Sequence, residues 1–260
     1  HINVNHFFVT FGSIMIAVYL TFLEVNWRNA LVQSGLVVLL LALFFGLARL
    51  PNHRRQTEPY LARLKILTRN RTVIVLFIAT ALAVGVEAGS IGIVSTFLAN
   101  LRGFTEFAAN MGLIVFLMGI ASGRLLVGFF SKNEQVVQTT LASFGLAGLV
   151  FLGLFVLDFG ALTYGAVYLA GLSMSALIPL MITLAGLLFP HLAGTVLGAV
   201  KVAIPIGGIV TPFLMSLLAE QFSLQAALLL FPLSFFVGFG LLFATIRHLK
   251  TVDAPAATGA

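Results

Sequence analysis

The chain has 260 residues, 60% of them hydrophobic and only 8% charged, with 25 Phe, 25 Gly, no Cys and a net charge of +6. A water-soluble domain of this length could not cover so much apolar side chain with so little charge, so that class is excluded. The lack of Cys excludes disulfides and thiolate metal sites. The basic excess is not a nucleic-acid footprint, because no basic face carries interleaved aromatics.

Taken in chain order, eight apolar runs follow one another, at roughly 3–23, 30–49, 73–98, 106–130, 136–157, 161–188, 193–219 and 224–247. Each is long enough to cross a hydrocarbon core, which takes about 20 helical residues. Short polar breaks separate them, among them Leu101-Arg102-Gly103, Asp158-Phe159-Gly160 and Glu220-Gln221-Phe222-Ser223. The period-two alternation of a membrane β-barrel is absent. The predicted fold is therefore all-α, a polytopic membrane protein of eight transmembrane helices.

The break between the second and third runs differs from the others. It carries Arg49, Arg54, Arg55, Arg63, Lys65, Arg69 and Arg71, seven of the fourteen Lys and Arg, against the single acid Glu58. Positive loops stay on the cytoplasmic face, which places this segment inside and alternates the rest. Lys132, Arg247 and Lys250 then also fall inside, while Arg28 and Arg102 fall outside with Glu24, Glu106, Asp158 and Glu220. Both chain ends are expected in the cytoplasm, in a multi-pass protein of a plasma membrane (the bacterial inner membrane). Anionic lipid is an additional partner for the basic loop. The chain starts at His1 with no signal-peptide pattern before its first run, and is expected to begin partway through a larger protein. The segment 251–260 is expected to be a mobile tail.

Glycines recur at four-residue spacing inside the runs, as Gly85/Gly89, Gly119/Gly123 and Gly194/Gly198, and prolines lie inside them at Pro179, Pro205, Pro212 and Pro232. Small residues let helices approach closely, and prolines free carbonyls and favour bends. Both suit a bundle that moves.

Several stretches resemble the later two-thirds of a major facilitator superfamily transporter, spans five to twelve of twelve. Trp27-Arg28 stands where that family often has a Trp-Arg pair at the start of its sixth span. The basic segment is similar to the linker between its two six-helix halves. Gly119-Ile120-Ala121-Ser122-Gly123-Arg124-Leu125-Leu126-Val127-Gly128 resembles the second copy of its gating-loop motif. Pro190-His191-Leu192-Ala193-Gly194-Thr195-Val196-Leu197-Gly198, followed by Gly207-Gly208 and Pro212, resembles the start of its eleventh span. Asn3-Val4-Asn5-His6 with Gly12, and Gly85-Val86-Glu87-Ala88-Gly89 with Thr96-Phe97-Leu98, are similar to the fucose/glucose/galactose–proton symporter branch. The chain departs from that branch at Thr10, where its pattern has a glycine, and after Glu87, where sugar porters often carry a Trp. The resemblance implies a partial major-facilitator fold lacking the first four spans. Residues 1–49 would be the last two helices of the first half, 50–72 the cytoplasmic linker and 73–250 the second six-helix half. The missing spans of the same protein are then an expected partner.

The chemistry is expected from charges inside the runs, because an ionised side chain at mid-bilayer costs roughly 2.5–3.5 kcal/mol on insertion scales. Glu87 lies about fourteen residues into the third run, near the midplane at about 1.5 Å per residue. Burial favours its neutral form and a nearby cation its charged form, so it is the candidate for proton coupling. Lys201 lies about eight residues into the seventh run, either snorkelling to the inner face or, as the resemblance implies, beside the central cavity to pair with Glu87 or touch substrate. The resemblance gives Arg124, with Gly119, Gly123 and Gly128, a structural role in latching helix ends on the cytoplasmic side. Further cavity candidates are Asn3 and His6 in the first run, Ser90 beside Glu87, and Tyr164, Tyr168, Ser173 and Ser175 in the sixth; Gln33 is a minor one.

Enzyme readings are not supported. No His-Glu-x-x-His or Gly-x-Ser-x-Gly pattern occurs, and Gly171-Leu172-Ser173-Met174-Ser175 lacks the final glycine of the latter. No phosphate-cradling loop, cofactor or metal is expected. The expected function is proton-coupled uptake of a small polar organic solute such as a sugar, by alternating access. The alternatives are proton-driven efflux of amphipathic compounds, or an accessory or remnant membrane subunit that does not transport.

Overall fold

The computed structural model describes residues 2–22, 27–47, 69–130 and 133–252, and all its long elements are helices. In chain order they are α1 (Ile2–Phe22), α2 (Trp27–Leu47), α3 (Arg71–Arg102), α4 (Glu106–Phe130), α5 (Val136–Val156), α6 (Thr163–Met174), α7 (Leu177–Leu188), α8 (Ala193–Gln221), α9 (Leu224–Leu228) and α10 (Leu230–Val252). Most of the basic segment and the tail from 253 lie outside the described residues, as do the side chains of Asn3 and Trp27.

Six of the eight expected runs form one long helix each, and two are divided. The sixth run breaks at Ser175-Ala176 into α6 and α7, and the eighth breaks at Leu229 into α9 and α10. A proline follows each break by a few residues, whereas Pro205 and Pro212 lie inside an unbroken α8. Pro179 and Pro232 have no N–H to offer the carbonyls of Ser175 and Leu228, four residues back, so the helical ladder is interrupted there.

Local signals fix the ends of α3. Asn70 caps its start, accepting from the N–H groups of Thr72 (3.0 Å) and Val73 (3.3 Å). Gly103, in the left-handed region at φ 69°, ends it. At 32 residues, α3 is about 48 Å long and exceeds the hydrocarbon core. Its last residue ties it to a neighbour. Arg102 donates to the carbonyls of Leu154 (3.1 Å), Phe155 (3.3 Å) and Leu157 (2.8 Å) at the end of α5, while its guanidinium lies 4.9 Å over the Phe97 ring. The last carbonyls of α5 lack intrahelical donors, and a cation suits that end of its dipole.

In lipid the drive to associate comes from packing more than from hiding apolar surface, so close helix contacts matter. The α3–α8 crossing is made by glycines: a methyl on Gly207 would run into the Ala81 carbonyl, and one on Gly85 into the Thr211 side chain. The α4–α6 crossing is reciprocal in the same way, with Gly119 against the Tyr168 carbonyl and Gly171 against the Phe116 carbonyl. Between these crossings, Phe97, Phe116, Phe144, Phe151, Phe155, Phe231 and Phe235 are fully buried. They meet mostly edge-to-face, as in Phe97–Phe155 and Phe151–Phe235, both 5.2 Å between centroids. This core holds α3, α4, α5 and α10 together. α1 packs on α4 and more lightly on α7. None of the apolar stretch of α2 is buried, and side chains such as Leu36, Leu40 and Phe44 stand exposed along it.

Removing the Arg102 tie by Arg102→Ala is expected to cost about 2–3 kcal/mol, from charged hydrogen bonds and a cation–π contact. Thermal melting in detergent should show the loss, with Arg102→Lys falling between the variant and the native protein.

Candidate functional site

The one ion pair between described residues within the spans joins α3 to α4. Glu87 and Arg124 meet with Nη2 of the guanidinium 2.7 Å from Oε1 and 3.0 Å from Oε2 of the carboxylate. The Arg124 side chain is 3% exposed and that of Glu87 14%. The carboxylate is therefore the more accessible member of the pair.

Arg124 spends its remaining donors on two other segments. Its Nε donates to the Ser175 carbonyl at 3.0 Å. That acceptor exists because Pro179 cannot donate to it, so the break that separates α6 from α7 also supplies a ligand for the guanidinium. Its Nη1 donates to the His6 carbonyl on α1 at 3.1 Å and to the Thr10 hydroxyl, which is also buried. Thr10 in turn bonds the His6 carbonyl at 3.3 Å. One guanidinium thus joins α1, α3, α4 and the α6–α7 break.

This differs from the sequence-based expectation in two respects. Glu87 has Arg124, not Lys201, as its cation, and Arg124 reaches a mid-span carboxylate rather than latching loops at the cytoplasmic end. Pattern could not reveal this, because the reach depends on how closely α4 approaches its neighbours. Gly123 lies one residue before Arg124 on the face where a side chain would strike Ser175 and the Leu172 carbonyl. With Gly119 it brings α4 against α6, and Gly128, one turn beyond Arg124, is half-buried. Lys201 is exposed on α8 and has no acidic partner among the described residues. The His6 side chain is half-buried on α1.

The hydroxyl candidates are mostly engaged in helix ties. Tyr164 donates to the Ala108 carbonyl on α4 at 2.8 Å. Tyr168 pairs with Ser122 of α4 at 2.7 Å. Ser173 bonds the Ala170 carbonyl in its own helix (2.9 Å), and Ser175, just past the end of α6, bonds the Leu172 carbonyl (2.8 Å). Ser90 is fully buried one turn after Glu87, and its hydroxyl has no partner among the described residues. Gln33 accepts from Tyr19, linking α2 to α1. Sequence reasoning passed over Thr10 and Ser122 as site residues. The spacing of Thr10 one turn after His6, inside an apolar run, was the available signal.

Residues 4–204 match the profile of the Major Facilitator Superfamily. The chain belongs to that superfamily. It is thereby a multi-pass membrane protein of a transporter family rather than an enzyme. Among solved structures it is similar to the E. coli fucose:proton symporter, FucP, with a TM-score of 0.59 and 23% sequence identity. The similarity covers 80% of this chain and 52% of the symporter, so this superfamily member spans about half the length of that relative. Comparison with curated proteins gave no match.

The pairing can be tested by a mutant cycle. Glu87→Leu alone leaves a buried guanidinium without its counter-charge and is expected to cost about 3–5 kcal/mol. Adding Arg124→Met should recover much of that loss, giving a double variant with a higher melting temperature than the single one. Equal or additive losses would mean that the two side chains act independently.

Proposed function

We propose that the protein is a secondary transporter in which Glu87 carries the coupling proton and drives uptake of a small polar organic solute by alternating access. The observation that carries this reading is the division of Arg124 between an accessible carboxylate on α3 and the backbone and hydroxyl of α1. α1 and α2 are assigned to the first six-helix half, 50–72 to the cytoplasmic linker, and 73–250 to the second half. Earlier spans of the same protein complete the cavity. The charge bias of the loops supports an orientation with both ends of this chain in the cytoplasm.

In this reading the ionised Glu87 holds Nη2 of Arg124, and the guanidinium at the same time holds the two halves together through α1. A proton arriving at the carboxylate abolishes the ion pair and leaves only a weaker hydrogen bond. The Arg124 charge then has no counter-ion in place, and the arrangement that binds it to His6 and Thr10 loses its advantage over others. Protonation thereby changes the relative energies of two arrangements of the halves, which is what a gradient needs in order to do work. The reciprocal glycine contacts of α4 with α6 let the second half move as a body. The likeness to a protein named as a fucose:proton symporter supports proton-coupled uptake over efflux.

Glu87→Gln keeps an acceptor for Arg124 but cannot exchange a proton. In proteoliposomes holding the full-length protein, this variant is expected to lose pH-gradient-driven accumulation while retaining exchange of solute across the membrane at equal pH. Accumulation unchanged from the native protein would remove Glu87 from the coupling role.

A further inference from the structure

We infer that Thr10 is a positioning residue for the coupling step: its hydroxyl fixes Arg124 to α1 and keeps the cytoplasmic end of the α1–α4 seam closed. This rests on the transport reading above and names the contact through which that reading controls access. A guanidinium has five N–H groups, and the hydrogen bonds of Arg124 to Glu87, Ser175, His6 and Thr10 use all of them. The two that reach α1 are both on Nη1. Thr10 lies one turn after His6, and its hydroxyl donates to the His6 carbonyl at 3.3 Å. A hydroxyl has one donor and two lone pairs. With the proton committed to its own helix, Thr10 presents its lone pairs to the guanidinium. Without that hydroxyl, one N–H of a buried cation has no acceptor, which is costly in low dielectric.

The rest of α1 offers little to replace this contact. Among the described side chains of α1, Thr10 is the one that is buried. Ile14 and Ala17, at helical spacing from it, are only partly buried against the core. Val9, Phe11, Met15 and Ile16 stand exposed. The one side chain that α1 buries is therefore polar, and its place depends on the guanidinium it meets.

At the far end of α1, the Phe22 ring meets Phe107 of α4 edge-on, with 5.8 Å between centroids. The end of α1 thus meets the start of α4, while His6 and Thr10 meet Arg124 late in α4, so the two helices run antiparallel. Different chemistry holds the two ends of this seam, and the contacts are roughly 18 Å apart along α1. Only the guanidinium contact answers to a proton, through Glu87, because the pair of rings carries no charge. The seam opens at its polar end while the ring contact persists. That polar end lies toward Ile2 and Phe130, the side that the loop charges assign to the cytoplasm.

The test places one thiol a turn behind the contact in the full-length protein, as Ile14→Cys, with any cysteine of the earlier spans replaced. This chain has none of its own. A membrane-impermeant methanethiosulfonate reagent is added at fixed pH to the cytoplasmic face, in inverted vesicles, and separately to the outer face. Thr10→Val keeps the side-chain volume and removes the hydroxyl. It is expected to raise the modification rate from the cytoplasmic face at least about tenfold, the scale of one charge-assisted hydrogen bond. Thr10→Ser should stay near the native rate. A packing role predicts the reverse, since Val keeps the methyl and Ser loses it. If Thr10→Val does not fold, Thr10→Ala against Thr10→Ser makes the same comparison. An unchanged rate without the hydroxyl, an equal rise in Thr10→Ser, or a rise from the outer face alone overturns the inference. Glu87→Gln in the same background separates the two readings. If it raises the rate and Thr10→Val does not, coupling through Glu87 stands without Thr10. If Thr10→Val raises it and Glu87→Gln does not, Thr10 still closes the seam and the coupling role of Glu87 falls.

Discussion

A guanidinium does not shed its charge at any working pH, and inside a bilayer every one of its N–H groups needs an acceptor. Arg124 meets that requirement with acceptors from α1, α3 and the α6–α7 break, so four parts of the chain are arranged around one side chain. The rest of the architecture makes this possible. Gly119, Gly123 and Gly171 remove the side chains that would hold α4 and α6 apart. Pro179 removes a donor and so exposes the Ser175 carbonyl. The phenylalanine core fixes α3, the helix that carries Glu87, against α5 and α10. The cluster is costly to assemble in low dielectric, and it is stable only while each member is present.

That dependence links structure to function. A fully satisfied cluster is rigid, and loss of one charge from it is a large perturbation. Glu87 is the only member of the cluster that a proton can neutralise, and it is also the more accessible side chain of the pair. In the proposed function the effect of a proton at one oxygen reaches α1 through a single intervening residue, with no long chain of contacts. Coupling in this account is a change in the preferred position of Arg124.

The helices were legible in the sequence because twenty-residue apolar runs and short polar breaks leave little choice of structure. All eight runs appear close to their expected limits, with the larger departures at the C-terminal ends of α3, which runs on to Arg102 where it bonds α5, and of α10, which runs on to Val252. The breaks at Ser175 and Leu229 fall near Pro179 and Pro232, but Pro205 and Pro212 leave α8 unbroken, so a proline shows only that a bend is available, not that the helix divides or where the freed carbonyl points. Glu87 stood out in the sequence by its depth alone. Its partner could not be read, since the family resemblance set Lys201 beside the central cavity and gave Arg124 a latching role on the cytoplasmic side. Only the approach of α4 to α3 decides between them. The tyrosine and serine hydroxyls show the same limit: composition marks them as polar groups in apolar helices, and packing determines that Tyr164 and Tyr168 spend their bonds on α4.

The most direct measurement is infrared difference spectroscopy of the full-length protein in lipid, recorded as the pH is lowered through the range in which transport operates. The account predicts the carbonyl stretch of a protonated carboxylic acid in the native protein, absent in Glu87→Gln, together with a shift in the guanidinium bands that is absent in Arg124→Lys. A carboxylate at Glu87 that stays ionised throughout that range, with the Arg124 bands unmoved, would contradict it.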